Sequence, residues 1–300
     1  MIENLRGESR LHVENLYKRY GARTILDNID LSVRPGELVS VVGPSGCGKS
    51  TLLRMIIGQE IPSEGTIMID GKLVGPPSRD RGVVYQRYSL YPHLTALENV
   101  MLGPRLSLPA LGWWSAKTRV RQEALSFLEE VGLVDHAEKY PHELSGGQQQ
   151  RVAVAQALIQ KPKILLMDEP FGALDPGTRE DLQLFLMELW EHHEMTIFFV
   201  THDLEEAAFL GTRLIVLSRY YSDDRAAYHT SDHGAKVVAD FHLRNRNAGI
   251  PTREKYTAQF NELLLTVRQA GFDPDYRQHV KEFDLKHQDS FRIPAIEEER

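Results

Sequence analysis

The chain has 300 residues with 42% hydrophobic and 26% charged, which suits a globular α/β domain with an extension rather than a disordered chain. Its formal net charge of −7 is unlike the basic stripe of a nucleic-acid binder, and no nucleic-acid partner is expected. The single cysteine, Cys47, excludes a disulfide framework within the chain, and no apolar run approaches the roughly 20 residues that cross a bilayer.

The opening MIENLRGESR has no apolar core of signal-peptide length. A reducing, cytoplasmic setting is therefore expected, with any work at a membrane done peripherally from the inner face and through a partner. Residues 11–20 and 24–33 alternate apolar and polar and are predicted as strands joined at Gly21–Ala22. Pro35-Gly36 marks a turn. Leu38–Val42 is a continuous apolar run, as in a parallel strand buried on both faces. A glycine-rich loop and a helix follow. Gly65–Leu73 is predicted as a hairpin turning at Asp70-Gly71, and Gly82–Tyr85 as a short buried strand.

From about Ser89 to Ile159 the pattern is helical. Thr95 and Ser145 are placed to cap helices, and Ala116–Val131 is amphipathic. Lys163–Met167, Thr196–Val200 and Arg213–Leu217 return to buried strands with helices between them, so a mostly parallel sheet is expected with the helical stretch inserted. After Ser218 a polar segment, Tyr220–Gly234, precedes a further strand at Lys236–Leu243 and a helix over Glu254–Ala270.

The loop Gly43, Pro44, Ser45, Gly46, Cys47, Gly48, Lys49, Ser50 and Thr51 fits G-x-x-x-x-G-K-[ST] between a buried strand and a helix. Glycines let the backbone curl so that N–H groups point at phosphates, and the helix N-terminus adds positive potential. Lys49 supplies a point charge, and the Ser50 hydroxyl is a hard oxygen ligand for Mg²⁺. Cys47 reads as a small filler in this loop, within reach of thiol reagents. Ile164–Met167 ends in Asp168 and Glu169. Asp168 is placed to hold the Mg²⁺ shell, and Glu169, pointing differently, to polarise an attacking water.

Leu144-Ser145-Gly146-Gly147-Gln148, followed by Gln149-Gln150-Arg151, resembles the signature of ATP-binding-cassette (ABC) proteins. The resemblance covers about residues 11–243. It implies a P-loop NTPase fold: a RecA-like parallel sheet core, an antiparallel β subdomain and an inserted α-helical subdomain, here with a C-terminal extension. The expected division is a cassette over residues 10–245, with core about 10–88 and 160–245 and a helical subdomain about 89–159, then a helical extension over 246–300.

By the same resemblance Tyr20 stacks on adenine, Gln86 bridges Mg²⁺, water and the membrane partner, and His202 contacts the γ-phosphate. Asp175 closes the Gly172–Asp175 loop that communicates between two cassettes, and counts with the nucleotide-binding residues. Ser145 and Gln148 also fit a capping box, which is compatible with the signature's role, since a glycine-flanked helix N-terminus is a phosphate site. In this family two cassettes pack head to tail, and Ser145 and Gly147 of one reach the ATP held by Lys49 of the other. The chain has one phosphate loop and one signature, so a second cassette, most simply a second copy, is expected.

Gln86, Leu90-Tyr91-Pro92-His93-Leu94 and Leu97–Val100 resemble the region that grips a bacterial importer's permease. Gly75-Pro76-Pro77-Ser78-Arg79-Asp80-Arg81 resembles the nitrate, taurine and alkanesulfonate branch. The resemblance thus implies an importer ATPase with transmembrane permease subunits and, indirectly, a periplasmic or surface solute-binding protein. A soluble ABC ATPase serving a non-transport complex is the alternative. Leu90, Tyr91 and Leu94 suit either a partner helix or internal packing. His229, Asp232 and His233 in the polar segment fit no common metal spacing and read as a solvated loop.

Overall fold

The computed structural model describes residues 9–86, 89–223, 233–243, 258–280 and 292–294. In chain order the elements are β1 (Leu11–Tyr20), β2 (Arg23–Val33), β3 (Leu38–Val42), α1 (Lys49–Ile57), β4 (Glu64–Ile69), β5 (Lys72–Leu73) and β6 (Arg81–Tyr85). There follow α2 (Ala96–Ser107), α3 (Ala110–Glu130), α4 (Gly146–Leu158), β7 (Ile164–Asp168), α5 (Pro176–His193), β8 (Thr196–Val200) and α6 (Leu204–Leu210). The last are β9 (Arg213–Ser218), β10 (Tyr221–Ser222), β11 (Lys236–His242), α7 (Ala258–Phe272), β12 (Gln278–His279) and β13 (Arg292–Pro294). They form two compact units, Met1–Pro77 with Glu194–Arg300, and Ser78–His193. Among the described residues no helix is long and apolar enough to cross a membrane.

The first unit holds an antiparallel sheet, β2-β1-β4-β5. The β4–β5 turn places Asp70 at φ 47° and Gly71 at φ 71°, the left-handed pair of a type I′ hairpin, as the Asp-Gly pair predicts. In the same unit β3 runs parallel to both β8 and β9. Every residue of β3 and β8 is buried, which accounts for their unbroken apolar character. β11 departs from the parallel pattern: it lies antiparallel on β9, with β13 parallel on its other side. A bidentate pair joins β9 to β11, with Arg213 Nε 2.8 Å from Asp240 Oδ1 and Nη2 2.6 Å from Oδ2.

The helix expected over Glu254–Ala270 is observed as Ala258–Phe272; residues 254–257 lie outside the described residues. It seats on β9: Ser218 Oγ donates to Gly271 O at 2.7 Å, and a β-carbon on Gly271 would lie 2.4 Å from Val216 Cγ1. Within the polar segment the short strand β10 pairs in parallel with β12, tying part of the extension to the residues after β9.

The second unit holds the parallel pair β6–β7, in register from Arg81↔Ile164 to Tyr85↔Asp168, with helices α2 to α5. Thr95 and Glu98 close a reciprocal capping box on α2. The buried Asn99 amide donates to the carbonyls of Tyr91, Leu94 and Thr95 and so shapes the preceding loop. Helix α3 starts at Ala110 after Pro109, earlier than the Ala116 expected from periodicity. Its first turns expose Leu111 and Trp114, so they carry no apolar–polar alternation to read.

Candidate nucleotide site

The phosphate loop lies in the first unit, between β3 and α1. A β-carbon on Gly43 would fall 2.1 Å from Leu217 O, so only glycine lets the loop pass β9 this closely. Gly48 caps α1 at φ 100°, a left-handed conformation that a side chain would strain. No side chain caps α1, and its first turn carries no acidic residue, leaving its N-terminal N–H groups and positive potential for an anion.

Lys49 is buried, and its Nζ donates to Gly43 O at 2.7 Å and Pro44 O at 3.2 Å. Ser45 and Gly46 are exposed at the crown of the loop. Ser50 is part-buried, and buried Thr51 accepts from Arg54 Nη2 at 3.3 Å. Cys47 is 2% exposed, contrary to the expected access for thiol reagents. Burial pushes its thiol pKa up, against the pull of Lys49.

His202 follows β8 in the same unit. Thr201 N donates to Val41 O at 3.1 Å, so the chain leaves the sheet at the same strand end as Gly43, and His202 is exposed there. Ligands of open α/β sheets collect at such C-terminal strand ends. Tyr20, at the end of β1, is 47% exposed; its hydroxyl donates to Glu60, and Lys18 Nζ lies over its ring, 4.9 Å from the centroid.

The second unit gathers the other residues. Tyr85 pairs with Asp168, so Gln86 and Glu169 emerge side by side from adjacent parallel strands. Both converge on Gly172: a β-carbon there would lie 3.1 Å from Gln86 Nε2 and 3.8 Å from Glu169 Oε2. Glu169 has φ 47°, a left-handed conformation costing about 1–3 kcal/mol for a non-glycine residue, and the turn Gly172 N to Glu169 O (3.2 Å) holds it. This bend parts Glu169 from the extended run that ends at Asp168.

Ser145 caps α4 with the predicted box: Gln148 N donates to Ser145 Oγ at 3.3 Å, and Ser145 N to Gln148 Oε1 at 3.0 Å. Ser145 is exposed, Gly146 and Gln148 are part-buried, and Gly147 is buried against Thr178. Asp175 caps α5, accepting from Thr178 N at 3.1 Å. The Thr178 hydroxyl and backbone hydrogen bonds hold the Asp175 carboxyl below its ordinary pKa.

Two residues escaped the sequence reading. Thr178 touches both the signature and the Asp175 loop; its spacing, three after a helix-capping Asp, was the available signal. Arg219 follows β9 with no motif, yet its Nη2 donates to Gly46 O at 3.0 Å. His233 contacts the Arg219 carbonyl through Nε2 at 3.0 Å, while His229 and Asp232 lie outside the described residues.

A glycine loop between a buried strand and an uncapped helix, on a parallel sheet, defines a P-loop nucleotide-binding fold. Residues 26–172 match the family model described as ABC transporter. The chain is 43% identical over 212 residues to a bicarbonate transport ATP-binding protein from Synechocystis sp., covering 69% of this chain and 74% of the relative. It is 48% identical over 198 residues to a nitrate import ATP-binding protein from the same organism, covering 66% and 72%. A solved cassette dimer, MJ0796 in a post-hydrolysis state with ADP and Pi, matches with TM-score 0.61 and 34% identity over 78% of this chain and 99% of that one. The chain therefore belongs to the ABC transporter family, as an ATP-binding and ATP-hydrolysing cassette.

Proposed function

We propose that this chain is the ATPase subunit of an importer for a small solute that carries an oxyanion group. Nitrate, taurine or another sulfonate was expected from the sequence, and bicarbonate joins them through the relatives' names. Nitrate and bicarbonate are themselves oxyanions, and the sulfonates carry one. In this reading the loop Gly43–Thr51 holds the phosphates, and Tyr20 stacks on adenine. Ser50, Asp168 and Gln86 hold Mg²⁺, Glu169 polarises the attacking water, and His202 contacts the γ-phosphate.

The observation that carries the reading is a pair of helix N-termini in one chain. Helices α1 and α4 both begin beside glycines with no acidic residue in their first turn. Each attracts an anion, yet one chain has one phosphate loop. The α4 terminus, with Ser145 and Gly147, serves the nucleotide of a second cassette. ATP bound in this way favours the closed dimer, and hydrolysis releases it by linkage. Transmembrane permease subunits take up the motion through the region after Gln86, where Tyr91 is 46% exposed, and a solute-binding protein delivers the cargo. The subunit then sits peripherally on the inner face of the membrane.

Glu169→Gln tests the reading. Removing the base is expected to slow hydrolysis roughly 100- to 10,000-fold while ATP binding persists and a dimer accumulates on size exclusion. Turnover near wild type would remove Glu169 from its proposed role; a monomer that hydrolyses ATP alone would remove the shared site.

A further inference from the structure

A separate cluster lies in the second unit, where α3 and α5 both end. Glu130 is the last residue of α3, and His192 and His193 are the last two of α5. His193 Nε2 lies 2.6 Å from Glu130 Oε1. The His193 ring stacks on Phe127, one turn back along α3, with centroids 6.4 Å apart and planes at 27°. His192 meets His193 edge-on at 5.0 Å. One donor atom from each of Glu130, His192 and His193 lies within 4.8 Å of the other two.

We propose that Glu130, His192 and His193 bind a divalent ion of the zinc class. The donor set comprises two imidazoles and one carboxylate, which zinc accepts, whereas Mg²⁺ and Ca²⁺ take oxygen ligands. Three protein donors leave a fourth position for water. Tetrahedral ligands about 2.0–2.1 Å from zinc stand about 3.4 Å apart, so the widest spacing in the cluster, up to 4.8 Å, closes by little more than 1 Å, while the 2.6 Å contact of His193 with Glu130 opens by about 1 Å as zinc takes the place of its proton. All three side chains are at the surface and have room to make that adjustment.

The electrostatics point the same way. Two helix C-termini meet here, each presenting the negative end of its dipole and favouring a cation. An open groove of about 540 Å³ beside the cluster is lined by Glu129, Glu130 and Glu188, and Arg151 lies over Phe185 of the same wall, 4.3 Å from its ring centroid. The bound ion would staple the end of α3 to the end of α5, the helix whose first turn carries Thr178 and whose cap is Asp175.

Zinc titration of the untagged, chelator-stripped full chain, read by calorimetry and by thermal melting without nucleotide, tests this. The wild type is expected to take one Zn²⁺ at this site and melt higher when loaded. His192→Ala, His193→Ala and Glu130→Gln are each expected to weaken binding at least about ten-fold, since even an outer-shell partner is worth that much. Glu130→Gln keeps the side-chain volume, so a loss there together with unchanged melting of the metal-free protein is a ligand effect. Equal affinity in the three variants, absence of zinc uptake by the wild type, or displacement of zinc by equimolar Mg²⁺ would each overturn the assignment.

Discussion

The methyl of Thr178 occupies the space beside Gly147: a β-carbon on Gly147 would sit 2.3 Å from Thr178 Cγ2. The same threonine donates its hydroxyl and backbone N–H to Asp175. One side chain thus packs the signature against the loop that precedes α5.

Gly147→Ala should therefore destabilise the fold although it sits in a helix. The gain in helix propensity is about 1 kcal/mol, and overpacking costs about 1–3 kcal/mol. The methyl cannot simply rotate away without moving the hydroxyl from Asp175. Adding Thr178→Ser removes the clashing methyl and keeps the hydroxyl, so the double variant should recover wild-type stability. Urea denaturation of the two variants decides it; an undiminished midpoint for Gly147→Ala alone would refute the packing argument.

Lys49→Ala removes the buried ammonium that spans Gly43 O and Pro44 O. Nucleotide affinity should fall beyond detection in equilibrium binding of a fluorescent ATP analogue. Retained tight MgATP binding would count against the proposed role of the loop.

Arg213 and Asp240 are each 4% exposed at the side chain and join β9 to β11; Arg213 also reaches Ser32 O at 2.5 Å. Removing one partner of a buried ion pair typically costs about 3–5 kcal/mol, because the other charge is stranded. Arg213→Met and Asp240→Asn should both show losses of that order in urea. A double replacement by apolar residues should cost less than either single change.

Burial opposes ionisation of Glu60, but hydrogen bonds from Tyr20 and Lys18 and the charges of Arg54 and Lys18 outweigh it, holding its carboxyl below the ordinary 4.5. A carboxyl depressed in the folded state contributes stability that is present above its unfolded pKa. That contribution is lost as pH falls through the folded value. Stability measured from pH 6 down to pH 3 should therefore fall less steeply in Glu60→Gln than in wild type. Superimposable acid limbs would show that the cluster contributes nothing.

Much of the site was legible as spacing. The phosphate loop, the Asp168–Glu169 pair, the Thr95 cap and the Ser145–Gln148 capping box depend on neighbours a few residues apart, and local backbone physics places them. The contacts of Thr178, Arg219 and Gly172 were not legible, since each depends on a chain segment that folding brings near. Arg219 is 173 residues from Gly46. The early start of α3 was hidden because exposed apolar residues break the periodicity.

The sequence by itself determined the family, the phosphate loop between strand and helix, and the candidate residues for nucleotide chemistry, because their backbone and charge requirements are met over short stretches. Only the tertiary structure decided the antiparallel pairing of β11 with β9, the docking of α7 on β9 and the buried state of Cys47. It alone decided, too, the meeting of Glu130 with His192 and His193, where two helix ends some sixty residues apart share one surface. Those outcomes turn on which faces remain to be buried once the sheets are formed, a choice made by packing between distant segments and written in no local pattern.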